Sequence, residues 1–335
     1  MNKKWMEYQG IKNWEGLLDP LDETLRAEII RYGHFVEAAY MGFNCDTSSS
    51  TYSLCHHPKR SLLQRAGFPD TGYKITKNLQ ATSSIQPPDW MKKAPRWTTI
   101  RSSWIGYVSV CTDKKEIARL GRRDVVIALR GTSTFLEWIE NLRATLTPVS
   151  DDSDSGMVES GFLSLYTSRT SDSPSLQEQV REEIRRLLKT YGNETLSVTI
   201  TGHSLGAALA ILAAYDIKKT IRRELLVTVI SFGGPRVGNR SFRNILEKQG
   251  TKVLRIVNSD DLVTILPGFV LDAEDSSYGQ WAGIPGWLPW WVYAEVGREL
   301  RLSSRQSPHL AGINVATCHE LGTYLQLVNG FVSSD

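Results

Sequence analysis

The sequence predicts an α/β protein with a mostly parallel central sheet and helices on both faces. Three observations carry this. From about residue 100, strand-like runs alternate with helical segments, the order that builds parallel sheets. One run, "DVVIALRG" at 124–131, is almost continuously apolar, as a strand buried on both faces must be. A third stretch, "TITGHSLGAALA" at 199–210, sets a Gly-x-Ser-x-Gly pattern between strand-like and helix-like residues.

Residues 1–95 read as an N-terminal extension packed on a main domain of residues 96–335. In the extension, "LDETLRAEIIRYGHFVEAAY" repeats apolar residues at helical spacing (Leu25, Ile29, Ile30, Phe35, Val36) and predicts a helix. The stretch 45–95 shows little periodicity and is expected to be loop-rich. In the main domain "SWIGYVSVC" and "DVVIALRG" are expected strands, and "DDSDS" and "SRTSDSPS" are polar loops. Leu176, Val180, Ile184, Leu187 and Leu188 mark an amphipathic helix. "LSVTIT" is then a strand, "LGAALAILAAYDIKK" a helix, and "LLVTVISFGGPRVG" and "KVLRIVNS" two further strands.

A chain of 335 residues accommodates one large α/β domain. The net charge of +3, without a dense Lys/Arg block, argues against nucleic acid as a partner. No run of 18 apolar residues exists, so no transmembrane helix is expected. Cys45, Cys55, Cys111 and Cys318 lack zinc-type spacing and are too few for a disulfide framework. They are expected to be reduced thiols in an intracellular or organelle interior. The opening "MNKKWMEYQG" has neither a signal-peptide h-region nor transit-peptide character.

The chemistry centres on Ser204. A strand ending at Thr201 and a helix opening at Leu205 form the context that a nucleophile elbow needs. Gly202 and Gly206 permit close backbone approach, and Ala207, Ala208 and Ala210 let the helix pack tightly. The Leu205 N–H, at a helix N-terminus, would face a developing oxyanion. A serine needs a general base, and the base needs an orienting acid. Beyond Ser204 the histidines are His309, in a loop-like segment, and His319, just ahead of an expected C-terminal helix; His319 is the better base. The acid belongs at the end of the "KVLRIVN" strand, where Asp260 and Asp261 stand side by side. Local reasoning does not separate these two, and Asp216, Asp272 and Asp275 are surface-like alternatives.

Five ordered blocks resemble the class 3 lipases, a group of α/β-hydrolases: "VVIALRGTSTFLEWIENL", "VTITGHSLGAALA", "VISFGGPRVGN", "RIVNSDDLVTILPG" and "CHELGTYLQLV". The opening "WMEYQGIKNWEGLLDPLDETLRAEIIRYGHFVEAAY" is similar to the plant phospholipase A1 subfamily related to the anther-dehiscence lipase, plastid type. The resemblance implies an α/β-hydrolase fold and a catalytic set of Ser204, Asp261 and His319, the aspartate being the one in "DLVTILP". It places the second oxyanion donor at Thr132, whose N–H joins that of Leu205, with its hydroxyl as a third hydrogen-bond donor. It implies a serine esterase needing no cofactor or metal. The expected activity is glycerolipid acyl hydrolysis at a membrane interface, as phospholipase A1, galactolipase or triacylglycerol lipase, linked with jasmonate precursor release. Chloroplast localisation follows, with the transit peptide absent from this chain; the alternative is cytoplasmic. One departure is Ala207, where many relatives carry a second glycine.

The resemblance also places a lid after Thr132. Phe135, Leu136, Trp138, Ile139 and Leu142 fall on one side of a helix, within about 160° at 100° per residue. Such a helix can exchange protein contacts for lipid contacts. "WAGIPGWLPWWVY" at 281–293 suits either an interfacial patch or core packing. The competing functions are a small-ester carboxylesterase and a non-enzymatic lipase-like scaffold.

Overall fold

Among the described residues, seven strands form one sheet in which spatial order equals chain order. They are β1 (Tyr73–Thr82), β2 (Ser102–Cys111), β3 (Arg123–Leu129), β4 (Leu196–His203), β5 (Leu226–Phe232), β6 (Lys252–Asn258) and β7 (Arg298–Leu302). β1 to β3 pair antiparallel, and β3 to β7 pair parallel throughout. The computed structural model describes residues 4–82, 102–132, 145–151, 156–171, 173–221, 224–267, 293–306 and 315–331. A second, four-stranded sheet combines Tyr293–Ala294, Gly238–Asn239, Met157–Glu159 and Leu146–Pro148.

Among the described residues, the helices of eight or more residues are α1 (Glu23–Gly42), α2 (Ser160–Thr167), α3 (Leu176–Tyr191), α4 (Leu205–Thr220), α5 (Arg240–Lys248) and α6 (Leu321–Gly330). Each face of the sheet is sealed by its own set. Val125, Ile127 and Leu129 of β3 pack with α2, α3 and α4, while Val126 and Ala128 pack with α1 and α6. The period of two along a strand buried on both faces explains why β3 reads as one apolar run. Helix α3 begins with a reciprocal cap: Ser175 Oγ accepts the Glu178 N–H, and Glu178 accepts the Ser175 N–H. Helix α1 begins at Asp22, whose carboxylate accepts the Thr24 and Leu25 N–H groups.

One expectation fails. Residues 73–82, taken as part of a loop-rich stretch, form β1 at the sheet edge. The reason is physical. Only Ile75, Leu79, Ala81 and Thr82 are buried, and two register irregularities, at Ile75/Lys77 and Leu79/Gln80, break the alternation. An edge strand with bulges carries no clean period of two.

Candidate active site

β4 ends at His203, and the chain reverses sharply at Ser204 before α4 begins at Leu205. Ser204 has φ 57° and ψ −127°, a region that L-residues rarely occupy and that neighbouring structure must enforce. The enforcement is close packing. A Cβ on Gly202 would lie 2.4 Å from the Gly206 carbonyl, and one on Gly206 would lie 2.4 Å from the Leu129 oxygen. Both positions therefore demand glycine for space. Ala207 tolerates its methyl because Gly234 stands opposite; a Cβ there would meet it at 2.8 Å. Ser204 is 1% exposed, and its Oγ has no hydrogen-bond partner among the described residues.

Asp261 follows β6 and caps a short 3-10 turn, accepting the Val263 N–H on Oδ1 at 2.9 Å. Its Oδ2 lies 2.7 Å from His319 Nδ1 and accepts the Tyr324 hydroxyl at 2.6 Å. Asp260 turns elsewhere, to the Ser303 and Ser304 hydroxyls and the Arg305 N–H. Burial would raise the Asp260 carboxyl, but these bonds and the Arg305 charge outweigh it and hold it below its ordinary value. The two adjacent aspartates are thus separated by their surroundings. Asp216 is not surface-like, as expected above: it is buried, and ion-paired to Arg181. Tyr166 donates a further bond to it.

The loop after β3 carries Gly131 and Thr132. Gly131 N–H donates to the Tyr40 hydroxyl at 2.8 Å, and the Gly131 carbonyl accepts from Arg130 Nη1 at 2.6 Å. The guanidinium also reaches the Trp104 carbonyl and Ser103 Oγ and stacks 3.5 Å over the Phe43 ring. Burial pulls the Arg130 guanidinium down to about 10. Because a peptide N–H points opposite to the preceding carbonyl, this clamp sets the direction of the Thr132 N–H. Thr132 Oγ1 is buried with no hydrogen-bond partner among the described residues. Leu205 opens α4, so its N–H stands at a helix N-terminus. Thr132, Ser204 and Asp261 all follow the C-terminal ends of parallel strands, the edge where ligand groups collect in open α/β sheets.

A family model described as Lipase (class 3) matches residues 126–271. Phospholipase A(1) DAD1, chloroplastic, of Arabidopsis thaliana is 63% identical, over 100% of this chain and 78% of that protein. The chain belongs to the class 3 lipase family. Galactolipase DONGLE, chloroplastic, of the same plant is 41% identical to this lipase, over 98% of this chain and 70% of that one. Among solved structures, Lip2 lipase from Yarrowia lipolytica superposes with a TM-score of 0.52 at 19% identity, covering 84% of this chain and 80% of that one. A Rhizomucor miehei lipase propeptide complex gives 0.51 at 22% identity, covering 84% and 68%. These two establish the α/β-hydrolase fold of the lipase. Like its family, the lipase is a carboxylic ester hydrolase with lipid substrates.

Other expected contributors to the lipase site lie outside the described residues: Phe135, Leu136, Trp138, Ile139 and Leu142, His309, Asp272, Asp275, and the tryptophans between 281 and 292. Leu262 and Ile265, in the short 3-10 turn that Asp261 caps, are 55% and 50% exposed. Sequence reasoning misses Tyr40, His203 and Tyr324. His203 precedes the serine inside the motif, and Tyr324 follows His319 by five positions, so both were within sight of it. Tyr40 had no such signal. No helix among the described residues is long and apolar enough to cross a membrane.

Proposed function

We propose that the lipase acts through Ser204, His319 and Asp261 as a phospholipase A1, with galactolipase and triacylglycerol lipase activity. The observation that supports this most directly is the 2.7 Å contact of His319 Nδ1 with Asp261 Oδ2, at the sheet edge where Ser204 sits on its strained turn. In this reading His319 Nε2 takes the Ser204 proton as Oγ attacks the ester carbonyl. Asp261 holds the Nδ1–H tautomer and stabilises the imidazolium. The N–H groups of Thr132 and Leu205 receive the oxyanion, each contributing about 3 kcal/mol to the transition state. His319 then protonates the departing alcohol, and water releases the fatty acid by the same route. No cofactor or metal enters these steps.

The substrate class draws on the relatives, whose names include phospholipase A(1) and galactolipase, and chloroplastic location draws on the same names. The released fatty acid would supply the jasmonate precursor link that the family resemblance implies. The one-sided apolar pattern of 135–142 supports a lid, and the exposed Leu262 and Ile265 support contact with a membrane surface. Residues 1–95 are, in this reading, an extension that lends β1 to the sheet of a catalytic domain at 96–335. The test is product analysis on mixed plastid lipids, wild type against Ser204→Ala. Fatty acid and lysolipid released from the first glycerol position, absent in Ser204→Ala, are expected. Fluorophosphonate labelling that survives Ser204→Ala would overturn the assignment. Turnover of soluble esters without lipid hydrolysis would replace it with a small-ester esterase.

A further inference from the structure

His203 is buried, and both of its ring nitrogens are engaged. Nδ1 lies 2.7 Å from the Tyr40 hydroxyl, and Nε2 lies 2.7 Å from the main-chain oxygen of His319. The two histidine rings lie 4.8 Å apart, tilted by 36°. The Tyr40 oxygen also receives the Gly131 N–H at 2.8 Å. The ends of this chain of bonds fix its direction. A peptide N–H only donates and a carbonyl oxygen only accepts. Gly131 N–H therefore donates to Tyr40, the Tyr40 O–H donates to His203 Nδ1, and His203 Nε2–H donates to the His319 carbonyl. His203 is the neutral Nε2–H tautomer. Burial supports this order: it pushes the Tyr40 hydroxyl up to about 12 and, with the neighbouring His319, holds His203 well below its ordinary value of 6.5.

The partners at the two ends are informative. One is the backbone of the loop that leads into Thr132; the other is the backbone of His319 itself. A buried histidine or tyrosine that only filled space would not need both ends to be site backbone, and phenylalanine at position 40 would fill the volume with less polar desolvation. A Cβ on Gly131 would meet the Tyr40 oxygen at 2.5 Å and Ser204 Cβ at 2.9 Å, so the hydroxyl reaches the loop at its closest approach to the serine. Tyr40 comes from near the end of α1, far from the motif in sequence.

We propose that Tyr40 and His203 are positioning residues: a hydrogen-bonded bridge that sets the distance between the oxyanion loop and the main chain of the general base, on either side of Ser204. Neither touches the reacting atoms. The bridge rests on the roles proposed above for Ser204, His319 and Thr132, and it adds a requirement on α1 that those roles do not contain.

The test compares wild type, Tyr40→Phe, His203→Asn and the double variant on a soluble ester, with Ser204→Ala as control. Small displacements of catalytic groups lower the rate steeply, so Tyr40→Phe should lower kcat roughly tenfold to a hundredfold while KM stays within about twofold. His203→Asn replaces the imidazole with a shorter amide that does not span from the Tyr40 hydroxyl to the His319 carbonyl, and it should lose a comparable factor. If the two act as one bridge, the double variant loses little more than the larger single loss. Nitrogen NMR of the wild-type imidazoles should show His203 as the Nε2–H tautomer, a readout that needs no variant to fold. Wild-type kcat in Tyr40→Phe, losses that multiply in the double variant, or an Nδ1–H tautomer at His203 each overturns the bridge. Activity retained in Ser204→Ala overturns the proposed function instead, so the two failures are told apart.

Discussion

Tyr324 Oη stands 2.6 Å from Asp261 Oδ2, the same oxygen that faces His319 Nδ1. One carboxylate oxygen thus has two neighbours, and the tyrosine helps to hold it in place. Burial, together with the Asp261 charge, pushes the Tyr324 hydroxyl well above its ordinary value, so it stays a donor throughout the working range. Hydrogen bonds to charged groups contribute about 1.5–3 kcal/mol. Tyr324→Phe should lower kcat by roughly tenfold, with KM little changed, in steady-state assays on a soluble ester. An unchanged kcat would show that Asp261 is held well enough by Val263 N–H alone.

The elbow glycines make a second prediction, about space rather than charge. Gly206→Ala would press a methyl into the carbonyl oxygens of Leu129 and Arg130, at 2.4 Å and 2.6 Å. Those atoms are backbone of β3 and its following loop and cannot rotate away. Overpacking of this kind costs about 1–3 kcal/mol. The variant should melt several degrees lower and lose activity beyond what its melting explains, because the loop it displaces carries Gly131 and Thr132. Thermal unfolding alongside activity measured well below the transition would separate the two losses.

His203 predicts a pH dependence of stability. Burial, then the nearby His319, holds its folded value well below 6.5, while the unfolded chain titrates near 6.5. Below that point the unfolded state binds the extra proton and the folded state does not, so folding weakens as pH falls. The contribution is complete above about pH 6.5 and declines towards the folded value, with a limiting slope of about 1.4 kcal/mol per pH unit. Among the described residues, the titratable groups facing the ring are Tyr40, His319 and Tyr324. Urea unfolding between pH 7.5 and about 5 should show this decline in wild type and a shallower one in His203→Asn.

Asp124 ties the N-terminal helix to the sheet. It is fully buried and accepts the Tyr32 and Tyr73 hydroxyls at 2.9 Å and the Ser197 hydroxyl at 2.8 Å. Arg31 lies 3.6 Å away and is itself paired to Glu28. Removing one partner of such a cluster leaves charge buried without compensation, at a cost of about 3–5 kcal/mol. Asp124→Ala should therefore lower the urea midpoint strongly, and an effect as small as that of a surface substitution would refute this account of how α1 is attached.

The parts of the fold with regular periods were legible in the sequence. Leu176, Val180, Ile184 and Leu187 line the buried side of α3, and the run through Val125–Leu129 is a strand covered on both faces. The turn at Ser204 could also be read, because it needs glycines at fixed spacing between a strand and a helix. β1 was hidden by its bulges and its half-exposed face. Asp260 and Asp261 are indistinguishable in a local reading, since what separates them is a set of partners more than 40 residues away: Ser303, Ser304 and Arg305 for one, His319 and Tyr324 for the other. Tyr40 is the extreme case, with its His203 contact spanning 163 residues. Nothing in a short window reports such a bond.

The residues gathered round Ser204 come from both ends of the chain. The segment matched by the family model, 126–271, contains the serine and Asp261 but neither Tyr40 nor His319. Contacts of long sequence separation close late, after local structure has formed. A chain still emerging from the ribosome can bend its elbow and complete most of its sheet while the proposed base is not yet made. In the reading proposed above, the site is complete only once α6, which follows His319, has packed against α1.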